Sequence, residues 1–190
     1  MGGFPKGNLQ RDGRTLLDRT LDVCARALAQ LAPEGVTLPI CLVGESSAYA
    51  PATLVSRLAD HPPGRGPMGG LRALLHEAAR HDRPALALAC DLPFLTPELI
   101  GRAILESPSA ASLAPRQQGR WQPLFARYDH RAVLPVIERA LQSDRTSLQT
   151  LFDSLGTHAV ELYLSEAEHS ALRDWDRPND MFAGCPNTPR

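Results

Sequence analysis

No apolar run in this chain reaches the roughly 18 to 20 residues that a membrane-spanning helix needs, and the opening Met-Gly-Gly-Phe-Pro-Lys has no signal-peptide core. The expected location is the cytoplasm, with no membrane partner. Cysteine is scarce as well: Cys24, Cys41, Cys90 and Cys185 lie far apart and none forms a Cys-x-x-Cys pair, which removes the usual zinc and dithiol signatures. They are expected to be reduced and structural. Charge of one sign is also missing. A net charge of -1 gives no broad field for nucleic acid, so an anionic ligand must be held by local groups. There is no Walker A loop, no Gly-x-Ser-x-Gly elbow and no His-Glu-x-x-His, and the histidines, including His61, His76 and His81, lack ligand spacing.

What is present suits one globular domain. At 190 residues, 43% hydrophobic and 22% charged, the chain can bury a full core, and residues 1–190 are expected to form a single unit. Apolar positions Leu16, Leu17, Val23, Ala27, Leu28 and Leu31 recur at helical spacing behind Arg14-Thr15, a capping entry. Segment 38–43 is a short apolar run ending at Gly44 and reads as a buried strand. Segment 61–70, rich in glycine and proline, feeds a helix over 71–80 with its stripe at Leu71, Leu74, Leu75 and Ala78. Segment 84–89 reads as a central parallel strand covered on both faces, and Thr96-Pro97 opens the next helix. Strands are expected at 110–115, 123–128 and 160–164, and helices at 132–142 and 147–155. The alternation implies an α/β fold with a mostly parallel, Rossmann-like sheet and helices on both faces, whose ligands gather at the carboxyl ends of strands.

Asp91 stands at such an end, directly after Cys90, where Pro93 turns the chain away. A carboxylate there suits a hard cation beside phosphates, because Mg²⁺ takes one or two carboxylates together with phosphate oxygens and water. The same residue reads equally as an aspartate closing a turn. Gly64, Gly66, Gly69 and Gly70 precede a helix, so backbone N–H groups could approach a phosphate; an ordinary glycine-rich turn fits as well. The letters match a dinucleotide fingerprint at Gly64, Gly66 and Gly69, but Asp60-His-Pro-Pro separates them from any strand, which argues against an oxidoreductase. Lys6 follows two glycines and could neutralise phosphate charge, or lie on a solvated terminus. Arg145 sits in Asp144-Arg-Thr-Ser147, most simply a helix start from which it could reach an anion.

In this order the pieces resemble the molybdenum cofactor guanylyltransferase family, whose fold is of the nucleotide-diphospho-sugar transferase (sugar-nucleotide-pyrophosphorylase-like) type. Met1-Gly2 and Lys6 are similar to the second half of its opening signature, Leu-x-Ala-Gly-Gly-x-Ser-x-Arg-Met-Gly-x-x-x-Lys. Further matches are Gly13-Arg-Thr-Leu-Leu17, Asp60 ahead of Gly66-Pro-Met-Gly-Gly-Leu71, Cys90-Asp-Leu-Pro-Phe94, Gln122-Pro-Leu-Phe-Ala-Arg-Tyr128 and Arg145-Thr-Ser-Leu148. The resemblance implies that Lys6 contacts the triphosphate and Asp60 the nucleoside of GTP. Gly69 and Gly70 would lie against the nucleotide, and Asp91 would hold Mg²⁺ and the phosphates. The implied reaction transfers GMP from GTP to the terminal phosphate of molybdenum-molybdopterin and releases pyrophosphate, with molybdoenzymes or their chaperones as later partners. Gln122, Arg145 and Asn187 are the candidate acceptor or second-site contacts, with Arg120 beside them; Asp174 or Asp176 replaces Asn187 if the register is shifted. The same resemblance implies that the first strand and last helix of the family pattern are absent, a chain clipped at both ends. A cytidylyltransferase or other guanylyltransferase of this fold, or an inactive cofactor-binding relative, are the competing readings.

Overall fold

The computed structural model describes residues 6–11, 13–32, 38–44, 55–143 and 147–173. A short 3-10 turn, Lys6–Asn8, leads into a small hairpin of β1 (Gln10–Arg11) and β2 (Arg14–Thr15), and then into α1 (Leu16–Leu31). The predicted cap is in place: the Thr15 hydroxyl accepts from Asp18 N at 3.0 Å. Next come β3 (Cys41–Val43) and β4 (Ser56–Leu58), a parallel pair, and α2 (Pro67–Arg80), which begins four residues before the predicted 71–80 because Pro67 is preset for the first helical position. Strand β5 (Ala85–Leu88) and α3 (Pro97–Leu105) follow, the latter capped by Thr96, whose hydroxyl accepts from Leu99 N at 3.2 Å.

Strand β6 (Ser112–Ala114) runs into a second hairpin, β7 (Arg116–Gln117) and β8 (Arg120–Trp121). Its two-residue turn needs left-handed backbone at both positions, supplied by Gln118 (φ 50°) and Gly119 (φ 77°). Then come β9 (Phe125–Tyr128), α4 (His130–Gln142), α5 (Leu148–Leu155), β10 (Ala159–Glu161) and α6 (Glu166–Ala171). Both hairpins, β4 and α6 carry too few apolar positions for a periodic signal, and the sequence reading did not include them.

The main sheet has the order β10-β6-β9-β5. Strands β10 and β6 are parallel, whereas β9 runs antiparallel to both β6 and β5, with Tyr128 in register with Ser112 on one side and Ala85 on the other. Three of the four strands therefore share one direction. The expectation that 84–89 is a central parallel strand is corrected in direction: among the described residues β5 pairs with β9 alone, and β9 is antiparallel to it. An apolar run reports coverage of both faces and not the direction of the neighbour.

Both faces are in fact covered. Ala85 and Ala87 of β5 join Ala126 and Tyr128 of β9 under α2, α4 and α5, while Leu86 and Leu88 turn to the opposite layer with α1, α3 and Phe125. Within the first layer Trp121 stacks on Phe152 at 4.8 Å, and Phe152 meets Tyr128 edge-on at 5.9 Å. On the second, Arg127 is 3% exposed and donates to the carbonyls of Ile104 at 2.7 Å, Glu106 at 2.8 Å and Ser107, which satisfies the end of α3. Burial lowers the pKa of this guanidinium below its usual range.

Phe152→Ala removes the ring joining Trp121 to Tyr128 and is expected to cost about 3–5 kcal/mol, read from urea unfolding. A second expectation concerns acid. The hydrogen bond from Arg102, aided by Ser165, holds the Glu168 carboxyl from an ordinary 4.5 down to about 2. A lowered folded-state pKa gives stability that is present above the unfolded value and is lost as pH falls toward the folded one. Glu168→Gln should therefore flatten the decline in melting temperature between about pH 4.5 and 2.

Candidate active site

Helix α2 connects β4 to β5 and packs on β3, β4 and β5. Its first turn must accordingly lie at the carboxyl ends of β4 and β5. That geometry brings Asp60, just past β4, the helix start at Gly66–Gly70 and Asp91, just past β5, to one end of the molecule. This is the end at which open α/β sheets bind ligands.

The contact between Asp60 and the helix is close. A Cβ on Gly70 would meet Asp60 Oδ1 and Val43 Cγ1 at 3.1 Å each, and one on Gly69 would stand 2.6 Å from the Pro62 carbonyl oxygen. Gly69 also donates to Gly66 O at 3.0 Å and accepts from His61 N at 3.2 Å. Both glycines are buried, and what their missing side chains admit is the chain's own 60–62 loop. Glycine at 69 and 70 is thus required to seat Asp60 against the helix start.

Asp91 is half-buried in the turn after β5, and buried Leu92 and Leu95 pin that turn to the core. Two residues before it, Ala89 N donates to Leu124 O at 2.7 Å. The 122–125 loop is held in turn by Gln122 N on Pro115 O at 3.0 Å, Phe125 N on Gln122 O at 3.0 Å, and the Tyr128 hydroxyl on Pro123 O at 2.8 Å. Burial raises the Tyr128 phenol well above its usual range, so it remains a neutral donor. Gln122 is thereby placed beside the turn that carries Asp91, a juxtaposition that the sequence pattern does not show.

Lys6 opens the 3-10 turn packed on α1, and its side chain lies outside the described residues, as do Arg145, Asn187, Asp174 and Asp176. Among the described residues no group of three His, Cys, Asp or Glu side chains could cage a metal. A single carboxylate beside a phosphate site still fits Mg²⁺, which completes its shell with phosphate oxygens and water.

A cavity of about 590 Å³ opens where β7, β8, the 122–123 turn and α5 meet, lined by Gln117, Arg120, Trp121, Gln122, Gln149 and Arg173 among others. Arg120 and Gln122 are among the candidate contacts named from the sequence, whereas Gln117, Gln149 and Arg173 are not. The only sequence signal near them is that Gln149 directly follows the Arg145-Thr-Ser-Leu148 landmark. A smaller cavity of about 240 Å³ beside α2 and α4 holds the Arg72–Glu138 pair, 2.7 Å apart, which lowers the Glu138 pKa; its charges already satisfy one another.

The sequence pattern of the MobA-like NTP transferase domain matches residues 1–160. The chain belongs to this family, and it is a nucleotidyltransferase. It is 36% identical over 183 residues to the molybdenum cofactor guanylyltransferase of Pseudomonas putida, covering 95% of this chain and 90% of that relative. A second Pseudomonas putida relative of the same name is 33% identical over 188 residues, covering 95% of this chain and 90% of the relative. Among solved structures, molybdopterin-guanine dinucleotide biosynthesis protein A from Archaeoglobus fulgidus aligns with a TM-score of 0.70 at 19% identity, over 95% of this chain and 89% of that one. The 2-C-methyl-D-erythritol 4-phosphate cytidylyltransferase of Thermus thermophilus aligns at 0.67 with 16% identity, over 94% and 91%. These structural likenesses establish the nucleotide-diphospho-sugar transferase type of fold. No helix among the described residues is long and apolar enough to cross a membrane.

Gly69→Ala should be the harsher of the two glycine changes, because its Cβ would strike backbone and not a movable side chain. A loss of about 1–3 kcal/mol is expected in urea unfolding, while Gly70→Ala should chiefly displace the Asp60 carboxylate and weaken nucleotide binding measured by calorimetry.

Proposed function

We propose that this nucleotidyltransferase transfers GMP from GTP to the terminal phosphate of molybdenum-molybdopterin, in the cytoplasm. The likeness to guanylyltransferases of that name along nearly the whole chain carries the reading, and the gathering of Asp60, Gly69, Gly70 and Asp91 at the carboxyl ends of the strands supports it. An oxygen of the acceptor phosphate attacks the α-phosphorus of GTP, the bond from that phosphorus to the bridging oxygen breaks, and pyrophosphate leaves with the electron pair. Alignment and charge neutralisation suffice, without a covalent intermediate on the protein.

In this reading Asp60 receives the nucleoside, with Gly69 and Gly70 keeping it seated. Lys6 offsets charge on the triphosphate. Gln122, Arg145 and Asn187 are the candidate contacts to the acceptor. Asp91 holds a Mg²⁺ ion, which when bound neutralises phosphate charge and makes the α-phosphorus more electrophilic. Product passes to molybdoenzymes or their chaperones.

Pyrophosphate release from GTP, CTP and ATP, measured with molybdenum-molybdopterin present, tests the assignment. GTP should be preferred, chelation of divalent metal should stop the reaction and added Mg²⁺ restore it. Asp91→Asn should lower turnover on the order of 10²-fold or more. Faster turnover with CTP would replace the guanylyl assignment by the cytidylyl one suggested by the fold of the Thermus thermophilus neighbour.

A further inference from the structure

The chain passes from β5 to Asp91 beside a turn whose position is set by hydrogen bonds to its own backbone. Phe125 N donates to Gln122 O at 3.0 Å, which makes Pro123 and Leu124 the two central residues of a β-turn. Burial does not hold the tip, because the Leu124 side chain is 41% exposed and Pro123 has no N–H to donate. What remain are the carbonyls of these two residues, which the turn itself does not satisfy. Leu124 O accepts from Ala89 N at 2.7 Å, and Pro123 O accepts from the Tyr128 hydroxyl at 2.8 Å.

Tyr128 closes β9 at the end away from this turn and is fully buried. Its ring meets Phe152 edge-on at 5.9 Å, and its backbone is in register with Ser112 and Ala85 on the two flanking strands. A ring fixed on so many sides cannot follow the turn, so the turn follows the ring. Without the hydroxyl, the Pro123 carbonyl loses its donor, and rotating the 123–124 peptide toward water is the readiest way to satisfy it. The central peptide of a β-turn reverses with little movement of the Cα atoms around it. The rotation nevertheless acts directly on Leu124, whose carbonyl holds Ala89, and Ala89 stands two residues before Asp91.

We infer that Tyr128 is a positioning residue for the metal-holding turn: its hydroxyl fixes Pro123 O, and through the Leu124 O to Ala89 N bond it sets where Asp91 stands relative to the nucleotide phosphates. Tyr128 touches neither substrate nor metal, and its effect reaches the carboxylate through two backbone bonds. The inference rests on the assignment of Mg²⁺ to Asp91 made above. It leaves the Asp60 and Gly70 side, where the nucleoside is placed, outside the effect.

The test compares the full chain with Tyr128→Phe, which keeps the ring and deletes only the oxygen, and with Ile137→Val, which loosens the same layer from α4 at a similar cost to stability. Two quantities are read: exchange of the Ala89 amide by NMR, and GTP affinity by calorimetry with and without Mg²⁺. In Tyr128→Phe the Ala89 amide should exchange at least about 10-fold faster than in the unaltered chain. The gain in GTP affinity that Mg²⁺ confers should shrink about 3- to 10-fold, less than the 10- to 100-fold usual for a group bonded directly to a metal ligand. Affinity without metal should change less than about twofold, and Ile137→Val should leave all three values in place. Unchanged Ala89 exchange or an unchanged Mg²⁺ gain in Tyr128→Phe, or equal effects in Ile137→Val, overturns the inference. Asp91→Asn, measured alongside, separates the two readings. If it removes the Mg²⁺ gain while Tyr128→Phe does not reduce it, the metal assignment stands and the inference falls. If it leaves the gain intact, the metal assignment falls, and Ala89 exchange alone decides whether Tyr128 sets the turn.

Discussion

Strand β9 is the constraint on which the other parts of the molecule depend. It enters antiparallel between two strands that run the other way, and Tyr128 is paired across it with Ser112 and Ala85 at once. Its alternating side chains serve three separate purposes. Phe125 fills one layer, Ala126 and Tyr128 fill the other, and Arg127 closes the end of α3. Because the strand begins where the 122–124 turn ends, its register also sets the height of that turn beside Asp91. The buried Tyr128 phenol, bonded to Pro123 O, transmits core packing directly to the rim of the site.

The site is correspondingly built from loops held by backbone bonds more than by ion pairs. Asp60 is positioned by the absence of two methyl groups, at Gly69 and Gly70, and Asp91 by the burial of Leu92 and Leu95 after it. A chain of net charge -1 attracts polyanions only where cations are left unpaired. Arg72, Arg80 and Arg131 are paired with carboxylates, whereas Arg120 and Arg173, which line one cavity, have no carboxylate partner among the described residues.

Much of the fold was legible from local signals. Helix α1 has the bounds its apolar spacing predicts, Thr15, Thr96 and Ser147 cap helices as their residue types suggest, and β5 is covered on both faces as its uninterrupted apolar run requires. Asp60, Gly69, Gly70 and Asp91 could be nominated because family order fixes their sequence neighbours. The direction of β9 was not legible, since an alternating or apolar strand reads the same whichever way its neighbour runs. Nor were the two hairpins, whose two-residue strands are specified by turn geometry at Gly13, Gln118 and Gly119 and not by hydrophobic period.

By itself, then, the sequence determined the residue types able to bind phosphate and metal, the helices and their caps, and a reading as one α/β domain, because these depend on chemistry within a few neighbours along the chain. Only the tertiary structure decided that Asp60 touches the start of α2, that Gln122 stands beside the Asp91 turn, and that Gln117, Gln149 and Arg173 share a cavity with Arg120. Those juxtapositions join residues from separate elements, and the register of β9 and the close approach permitted by two glycines create them through packing that no local pattern encodes.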